Sequence, residues 1–358
     1  MKRLRNIINT FLLLSITMAT VDLHAQNSAY INKVYEYCPA PGQFINQYPE
    51  YKEGDNADSM LAKASEYVVG TAKSPLSLGG FGGYIVFGFD HKIQNVKGKM
   101  DFQVLGNSFV SDRETEHYGG NSEPGIIMVS EDVNGNGLPD DPWYEIAGSE
   151  YRKSTTTKNY TVTYYRSNDN IRWKDSEGET GTIDRNEWHT QDSYYPMWVK
   201  SDSISFTGTR IANNGKNEGT ETQPYYVLYI YDYGYADNQP NDSALSKIDI
   251  DWAVDADGNA ANLDGINFVK VYTGVNQKCG WLGETSTEVA GAVDLHIAGG
   301  DIDSNIATGI KGILANETDS QNSKVEIYNI LGQRISNPVS GQVYIIRQGG
   351  KAKKVLWK

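Results

Sequence analysis

The sequence is poor in the residues that most catalytic and metal-dependent chemistries require. Only two of its 358 residues are cysteine, Cys38 and Cys279, so no cysteine cluster for zinc or iron-sulfur can form. Histidine occurs five times, scattered, with no His-Glu-x-x-His and no pair at helical spacing, which argues against a catalytic zinc. A Gly-x-Ser-x-Gly elbow is missing. Gly79-Gly-Phe-Gly-Gly83 is glycine-rich but leads into an apolar strand pattern, not a helix, and is therefore not a phosphate loop. Basic residues are also short, 32 Lys and Arg against 45 Asp and Glu. An acidic chain repels phosphate backbones, so nucleic acid is a poor partner.

Long apolar runs are few. Phe11 to Val21 is the main one, too short to cross a bilayer. It follows Lys2, Arg3 and Arg5 and precedes Leu23-His24-Ala25, the pattern of a cleaved export signal over residues 1–25. Removing it takes three basic residues and Asp22, leaving 29 basic against 44 acidic and a net charge of −15. No cysteine stands at the new N-terminus to carry a lipid. The expectation is an exported protein, at the cell surface or extracellular, with the periplasm as the alternative. Export permits a Cys38–Cys279 disulfide, and two separate thiols fit the sequence equally.

What is abundant is Tyr (24), Trp (7) and Gly (36), a composition suited to strands, tight turns and ligand-facing surfaces. One helix is expected, Asp58 to Val69, with Met60, Leu61, Ala64, Tyr67 and Val68 on one face, Asp58 as cap and Gly70 as stop. Short apolar or alternating runs follow: 84–89, 100–105, 125–129, 143–146, 160–165, 203–207, 225–231, 248–252, 266–272 and 289–297. Many short strands separated by turn signals predict an all-β sandwich or barrel. Residues 168–196 are polar and read as a long loop or small insertion. The expected division is 1–25 signal, 26–298 β-sandwich, 299–322 linker, rich in Asp, Ser and Gly, and 323–358 a small C-terminal β unit.

The densest local signal is Asp132-Val-Asn-Gly-Asn-Gly-Leu-Pro-Asp-Asp141. Oxygen-bearing side chains at Asp132, Asn134, Asn136, Asp140 and Asp141, with the Leu138 carbonyl and a turning Gly137, suit a hard cation, and structural Ca2+ is expected there. The spacing departs from an EF-hand loop at the twelfth position, Trp143, and the flanks are strands. A metal-free Asn-Gly hairpin turn is the alternative. Asp255, Asp257 and Asn259 repeat the alternation without the turning glycine, and a plain hairpin turn is favoured there. Asp232, Asp237, Asn238 and Asp242 cluster around Gly234; a solvated loop is favoured there, and capping a ligand mouth or supplying distant carboxylates to the first loop is the alternative.

Trp143, Tyr144, Tyr194, Tyr195, Trp198, Tyr235 and Trp281 fall near loops or strand ends, where rings at a sandwich rim can stack on sugars or on a macrocycle. They are the expected ligand-binding residues, and no catalytic residue is identifiable. Abundant acids leave a glycosidase pair open.

Two stretches carry family resemblances. Val325-Glu-Ile-Tyr-Asn-Ile-Leu-Gly-Gln-Arg-Ile335, Gly341-Gln-Val-Tyr-Ile-Ile346 and Lys353-Lys-Val-Leu356 resemble the C-terminal sorting domain of type IX (Por) secretion substrates, with Gln342 as an extra residue. This implies passage across an outer membrane. Tyr35–Phe44, Gly83–Asp90, Glu123–Val129 with the loop after it, Trp143–Glu150, Gly234–Asn238, Val254–Asn259 and Phe268–Tyr272 resemble bacterial cell-surface proteins whose genes often accompany outer-membrane cobalamin transporters. That resemblance implies a jelly-roll-like fold, a small ligand that is cobalamin or another corrinoid, and contact with outer-membrane uptake or secretion machinery. The expected function is non-enzymatic capture, calcium ordering the rim loops that grip the ligand. A carbohydrate-binding module and a glycoside hydrolase or lyase are the alternatives.

Overall fold

The computed structural model describes residues 27–71, 74–112, 119–187 and 189–297 and, near the C-terminus, 326–329, 335, 338, 343–348 and 351–356. The expected signal and linker lie outside the described residues.

The chain is nearly all β, with several antiparallel sheets packed as a sandwich, none of them closed. The largest sheet runs in the order Lys33–Cys38, Tyr84–Gln94, Gly265–Thr273, Gly125–Ser130, Trp143–Ile146, Ala253–Val254, and Tyr235–Ala236 also pairs with the Gly125 strand. Its central strands are nearly continuous apolar runs because both faces are covered. Side chains alternate between faces along a strand. Ile127 and Val129 join one core with Val269, Val271 and Phe87, while Ile126 and Met128 join a second with Tyr272 and Tyr235.

The first core is closed by the short Phe102–Leu105 and Gly291–Asp294 strands and by the one α-helix among the described residues, Ala57–Val68. Met60, Ala64 and Val68, at spacing four, are fully buried. Asn56, not Asp58, caps this helix. Its side chain accepts from the Ser59 amide while Ser59 Oγ accepts from the Asn56 amide, a reciprocal box. Asp58 instead sits in the first turn, where a negative charge suits the helix dipole.

The second core lies under a four-stranded sheet ordered Thr180–Ile183, Ile171–Asp175, Thr157–Tyr165, Ser203–Arg210. Two of these strands fall within residues 168–196, read from the sequence as loop. The hairpin was hidden because only Ile171, Asp175 and Ile183 turn fully inward and the rest is polar. Tyrosines fill this core, Tyr160, Tyr164, Tyr194 and Tyr195 among the largest buried side chains. Each buried hydroxyl reaches a loop. Tyr160 donates to Asp175 at 2.8 Å, Tyr164 to the Phe81 carbonyl at 3.1 Å and Tyr195 to the Ser201 carbonyl at 3.0 Å. A ring fills the core while its tip satisfies a strand end, which phenylalanine could not do.

Ile248–Trp252, expected as a strand, is mostly a 3-10 turn over Ile250–Trp252. Asp249 caps it by accepting from the Asp251 amide, and only Lys247–Ile248 pairs as strand. A further sheet, ordered Gly215–Asn217, Tyr226–Tyr229, Gly119–Asn121, Phe109–Asp112, forms one wall of the site below. The C-terminal unit, taken by itself, is a three-stranded antiparallel sheet of Glu326–Asn329, Val343–Gln348 and Lys351–Leu356.

Candidate functional site

A cleft open to solvent lies where the Gly42–Tyr48 turn, the Gly119–Asn121 sheet and the segment from Cys279 to Glu288 meet. Phe44, Tyr48 and Phe109 line it together with His189, whose ring meets Phe44 edge-on with centroids 4.6 Å apart. The lining also holds planar polar groups, Gln43, Asn107 and Asn121, and three carboxylates, Glu123, Glu284 and Glu288. Among the described residues, no lysine or arginine lines it.

The Gly42–Tyr48 wall is fixed by unusual local geometry. The Gln43 amide N–H donates to Glu284 Oε1 at 2.6 Å, and its side-chain amide donates to the Leu282 carbonyl at 2.8 Å. Gly283, which has φ +85°, lets the two segments touch, since a Cβ there would lie 2.7 Å from Gln43 Nε2. Behind the wall, the Gly42 amide donates to the Tyr194 carbonyl at 2.8 Å, and the Tyr194 hydroxyl donates to the His189 carbonyl at 2.8 Å.

At the floor the chain brings together acids that are far apart in sequence. Carboxylate oxygens of Glu123, Asp237 and Glu288 lie within 4.8 Å of one another. Asp237, 3% exposed, is held by backbone donors: Oδ1 accepts from the Asn107 and Ser108 amides at 2.7 and 2.8 Å, and Oδ2 from the Glu288 amide at 3.0 Å. Glu123 accepts from the Asn121 side-chain amide at 2.7 Å. Burial pushes Asp237 well above the usual carboxylate range, reinforced by the charge of Glu123 and opposed by the three amides. Glu288 is driven up by burial and by its two acidic neighbours. Glu284 is raised to about 8, chiefly by burial. Its Oε2 is buried and has no hydrogen-bond partner among the described residues, as is true of Asn107 Oδ1.

Asp237 and Asn238 were expected in a solvated loop, yet both are buried. Asn238 Oδ1 accepts from Ser122 Oγ at 2.9 Å and from the Tyr231 amide at 2.8 Å, which draws the turn inward. The sequence carried one signal for this. Gly234-Tyr-Ala joins a glycine to an apolar pair, and Tyr235–Ala236 does pair with the Gly125 strand.

The expected aromatic residues are placed differently from a rim. Tyr194, Tyr195, Trp198 and Tyr235 are buried. Trp198 stacks between Tyr37 and Tyr51, and Tyr235 accepts from the Glu150 amide at 2.9 Å. Their faces are covered by protein, so Tyr194 serves the cleft only from behind. Trp143 and Tyr144 are half-buried in the Trp143–Ile146 strand, Tyr144 against the first core. Trp281 is half-buried beside the cleft-lining Leu282, its carbonyl accepting from the Asn186 side-chain amide at 2.9 Å.

The Asp132–Asp141 loop joins Gly125–Ser130 to Trp143–Ile146, the two strands expected around it. Asp132 accepts from the Asn136 and Gly137 amides at 3.1 and 2.9 Å, and Asn136 Oδ1 from the Leu138 amide at 2.7 Å. Asp140 accepts from the side-chain amides of Asn134 and Asn136, which hold its carboxyl below the usual carboxylate range. Asp141 Oδ2 accepts from the Val133 amide at 3.1 Å. Gly135 and Gly137 take the left-handed conformation that the turn needs. The donor set suits Ca2+ in kind: ionised carboxylate, amide oxygen and the Leu138 carbonyl. Its position does not suit the expected mechanism. The loop leaves one end of the six-residue Gly125–Ser130 strand and Glu123 stands just beyond the other, about 20 Å away at strand rise. An ion in the loop therefore cannot shape the cleft directly.

Asp255 accepts from the Asp257 and Asn259 amides, both at 2.9 Å, in a tight turn with Gly258 at φ +81°, the hairpin-turn geometry. Cys38 and Cys279 are separate thiols, Cys279 on the cleft lining. Searched against protein-family models and curated proteins, the chain matches none.

Proposed function

We propose that this is an exported binding protein that captures a small, hydroxyl-rich ligand of the glycan class in the cleft lined by Phe44, Phe109 and Glu284. The observation that carries this reading is a concave site lined by aromatic residues together with planar polar side chains. Amides and carboxylates can each bridge adjacent hydroxyls, while Phe44, Tyr48 and Phe109 offer apolar faces to a sugar ring. The buried Glu284 Oε2 and Asn107 Oδ1, without hydrogen-bond partners among the described residues, favour a polar ligand, because a buried polar atom left unpaired costs about 1–3 kcal/mol.

A corrinoid asks for a broad apolar face. Four of the seven aromatic side chains expected to supply it are buried in the cores. The glycan reading therefore leads, with corrinoid capture as its rival. Calcium in the Asp132–Asp141 loop belongs to this proposal as a brace for the far end of the large sheet. The export signal and sorting-like C-terminus support placement at the cell surface.

Titration calorimetry with a panel of mono- and oligosaccharides, with cyanocobalamin in parallel, tests the reading. Saturable sugar binding that Phe44→Ala weakens at least tenfold supports it. Binding of cyanocobalamin alone would replace the glycan by a corrinoid. Release of new reducing ends during incubation, lost in Glu284→Gln, would mark the cleft as hydrolytic.

A further inference from the structure

The three acids at the cleft floor are spaced as ligands of one ion. Two oxygens bound to the same Ca2+ lie no farther apart than twice the bond length, and bonds of about 2.3–2.6 Å allow about 5 Å. Carboxylate oxygens of Glu123, Asp237 and Glu288 lie within 4.8 Å of one another, inside the calcium limit. A cluster of acids alone does not make a site, since protons can neutralise it.

A second observation points to a guest with positive charge. Glu284, 7% exposed, lines the same cleft close enough to Glu123 to feel its charge, and its Oε2 is buried with no hydrogen-bond partner among the described residues. Asn107 Oδ1, also on the lining residues, is equally without one. The Asn107 oxygen, and the Glu284 carboxylate once a cation displaces its proton, are the ligand type a hard cation takes. Among the described residues, no lysine or arginine lines the cleft to serve instead.

From this spacing and these unpartnered oxygens we infer that the cleft floor is a calcium site, held by Glu123, Asp237 and Glu288 and separate from the Asp132–Asp141 loop. Asp237 is the rigid member, oriented by the amides of Asn107, Ser108 and Glu288. Glu123 is the less buried member. An ion there has coordination positions left on the open side, and vicinal hydroxyls of a bound ligand are suitable oxygens to fill them. This last step rests on the glycan reading; the ion site does not.

The test is calcium titration of the full mature chain after exhaustive chelation, with CaCl2 as the only ligand, followed by calorimetry and by terbium luminescence with calcium competition. The loop is disabled by Asp132→Ala with Asp140→Ala. One equivalent of calcium is expected to persist in that variant, and adding Glu288→Gln is expected to weaken it at least tenfold. Glu123→Gln, at a less buried position, gives the same result without threatening the fold, and far-ultraviolet circular dichroism checks both. The inference is overturned if the loop-disabled protein binds no calcium, or if folded Glu123→Gln and Glu288→Gln bind it unchanged; protons alone then neutralise the floor. No sugar is present in these titrations, so their failure leaves ligand capture standing. Sugar titration in excess chelator tests capture by itself.

Discussion

The molecule holds two acidic assemblies at opposite ends of the Gly125–Ser130 strand, and they differ in almost every physical respect. The Asp132–Asp141 loop is exposed, local in sequence and internally satisfied, its oxygens already accepting from neighbouring amides. The cleft floor is buried, drawn from positions 123, 237 and 288, and crowded with like charge beside polar atoms left unpaired. The loop can stand in water with or without an ion. The floor cannot remain charged without protons or a cation, because desolvated carboxylates within reach of one another oppose each other's ionisation. Acid content alone therefore says little about a site; burial decides which acids are under electrostatic stress.

The sharpest way to break this comparison is to remove one acid from each end. Asp237→Ala strips three backbone N–H groups of their acceptor in the interior. With each stranded donor costing about 1–3 kcal/mol, a loss above about 3 kcal/mol in urea unfolding is expected. Asp140→Ala, exposed, is expected to cost far less when calcium is chelated. Equal costs at the two ends would remove the distinction.

A pH series sharpens it further. Glu284 is held at about 8 in the fold against 4.5 as its ordinary value. Between those values the folded chain keeps a proton that the unfolded chain has released. Stability therefore falls as pH rises through this window: the contribution is whole below about 4.5 and gone above about 8. Asp237 and Glu288, also raised, act in the same direction. In chelator, the melting temperature is expected to drop by several degrees from pH 5 to pH 8.5. Glu284→Gln, which fixes the neutral form, should flatten that slope. A melting temperature that rises over the same range would contradict the burial of these acids. The loop pulls the other way only at acid pH, since Asp140 lies below the usual range and is ionised throughout this window.

Tyr194→Phe probes how the cleft is supported. It removes one hydroxyl that donates to the His189 carbonyl and accepts from the Asn186 amide. A stability loss of about 1 kcal/mol is expected, with a larger fractional loss in ligand affinity than in stability, because the His189 and Gln43 walls lose their backing. Unchanged affinity would place the ligand elsewhere.

The two ends also differ in how far the sequence revealed them. The loop was legible because its pattern is contiguous: alternate oxygens, two turning glycines and flanking strands, of which Trp143–Ile146 matches its expected bounds. The all-β sandwich was legible from short apolar runs, since side-chain alternation is a local property. The cleft floor was not, because Glu123, Asp237 and Glu288 are joined only by the strand order, and periodicity does not contain strand order. The aromatic residues misled for a related reason. A tyrosine next to a turn looks like a rim residue, but its length lets the ring enter the core while the hydroxyl returns to the loop, as Tyr195 does toward Ser201. The 168–196 segment was hidden by edge-like polarity, its hairpin turning only Ile171, Asp175 and Ile183 fully inward.

The smallest expected effect comes from the turn at Asp255, which looks most like the loop in sequence. Its carboxylate accepts from the Asp257 and Asn259 amides and from the Asn259 side chain at 3.2 Å, all within five residues. These bonds are exposed, where water replaces a lost partner, so Asp255→Ala is expected to lower stability least of all these variants. Calcium stoichiometry should not change, because the turn lacks the second glycine and the additional acids of the Asp132 loop. A lost equivalent would show that alternation of oxygens suffices for an ion here, and that the contrast between satisfied and stressed acids must be redrawn around all three positions.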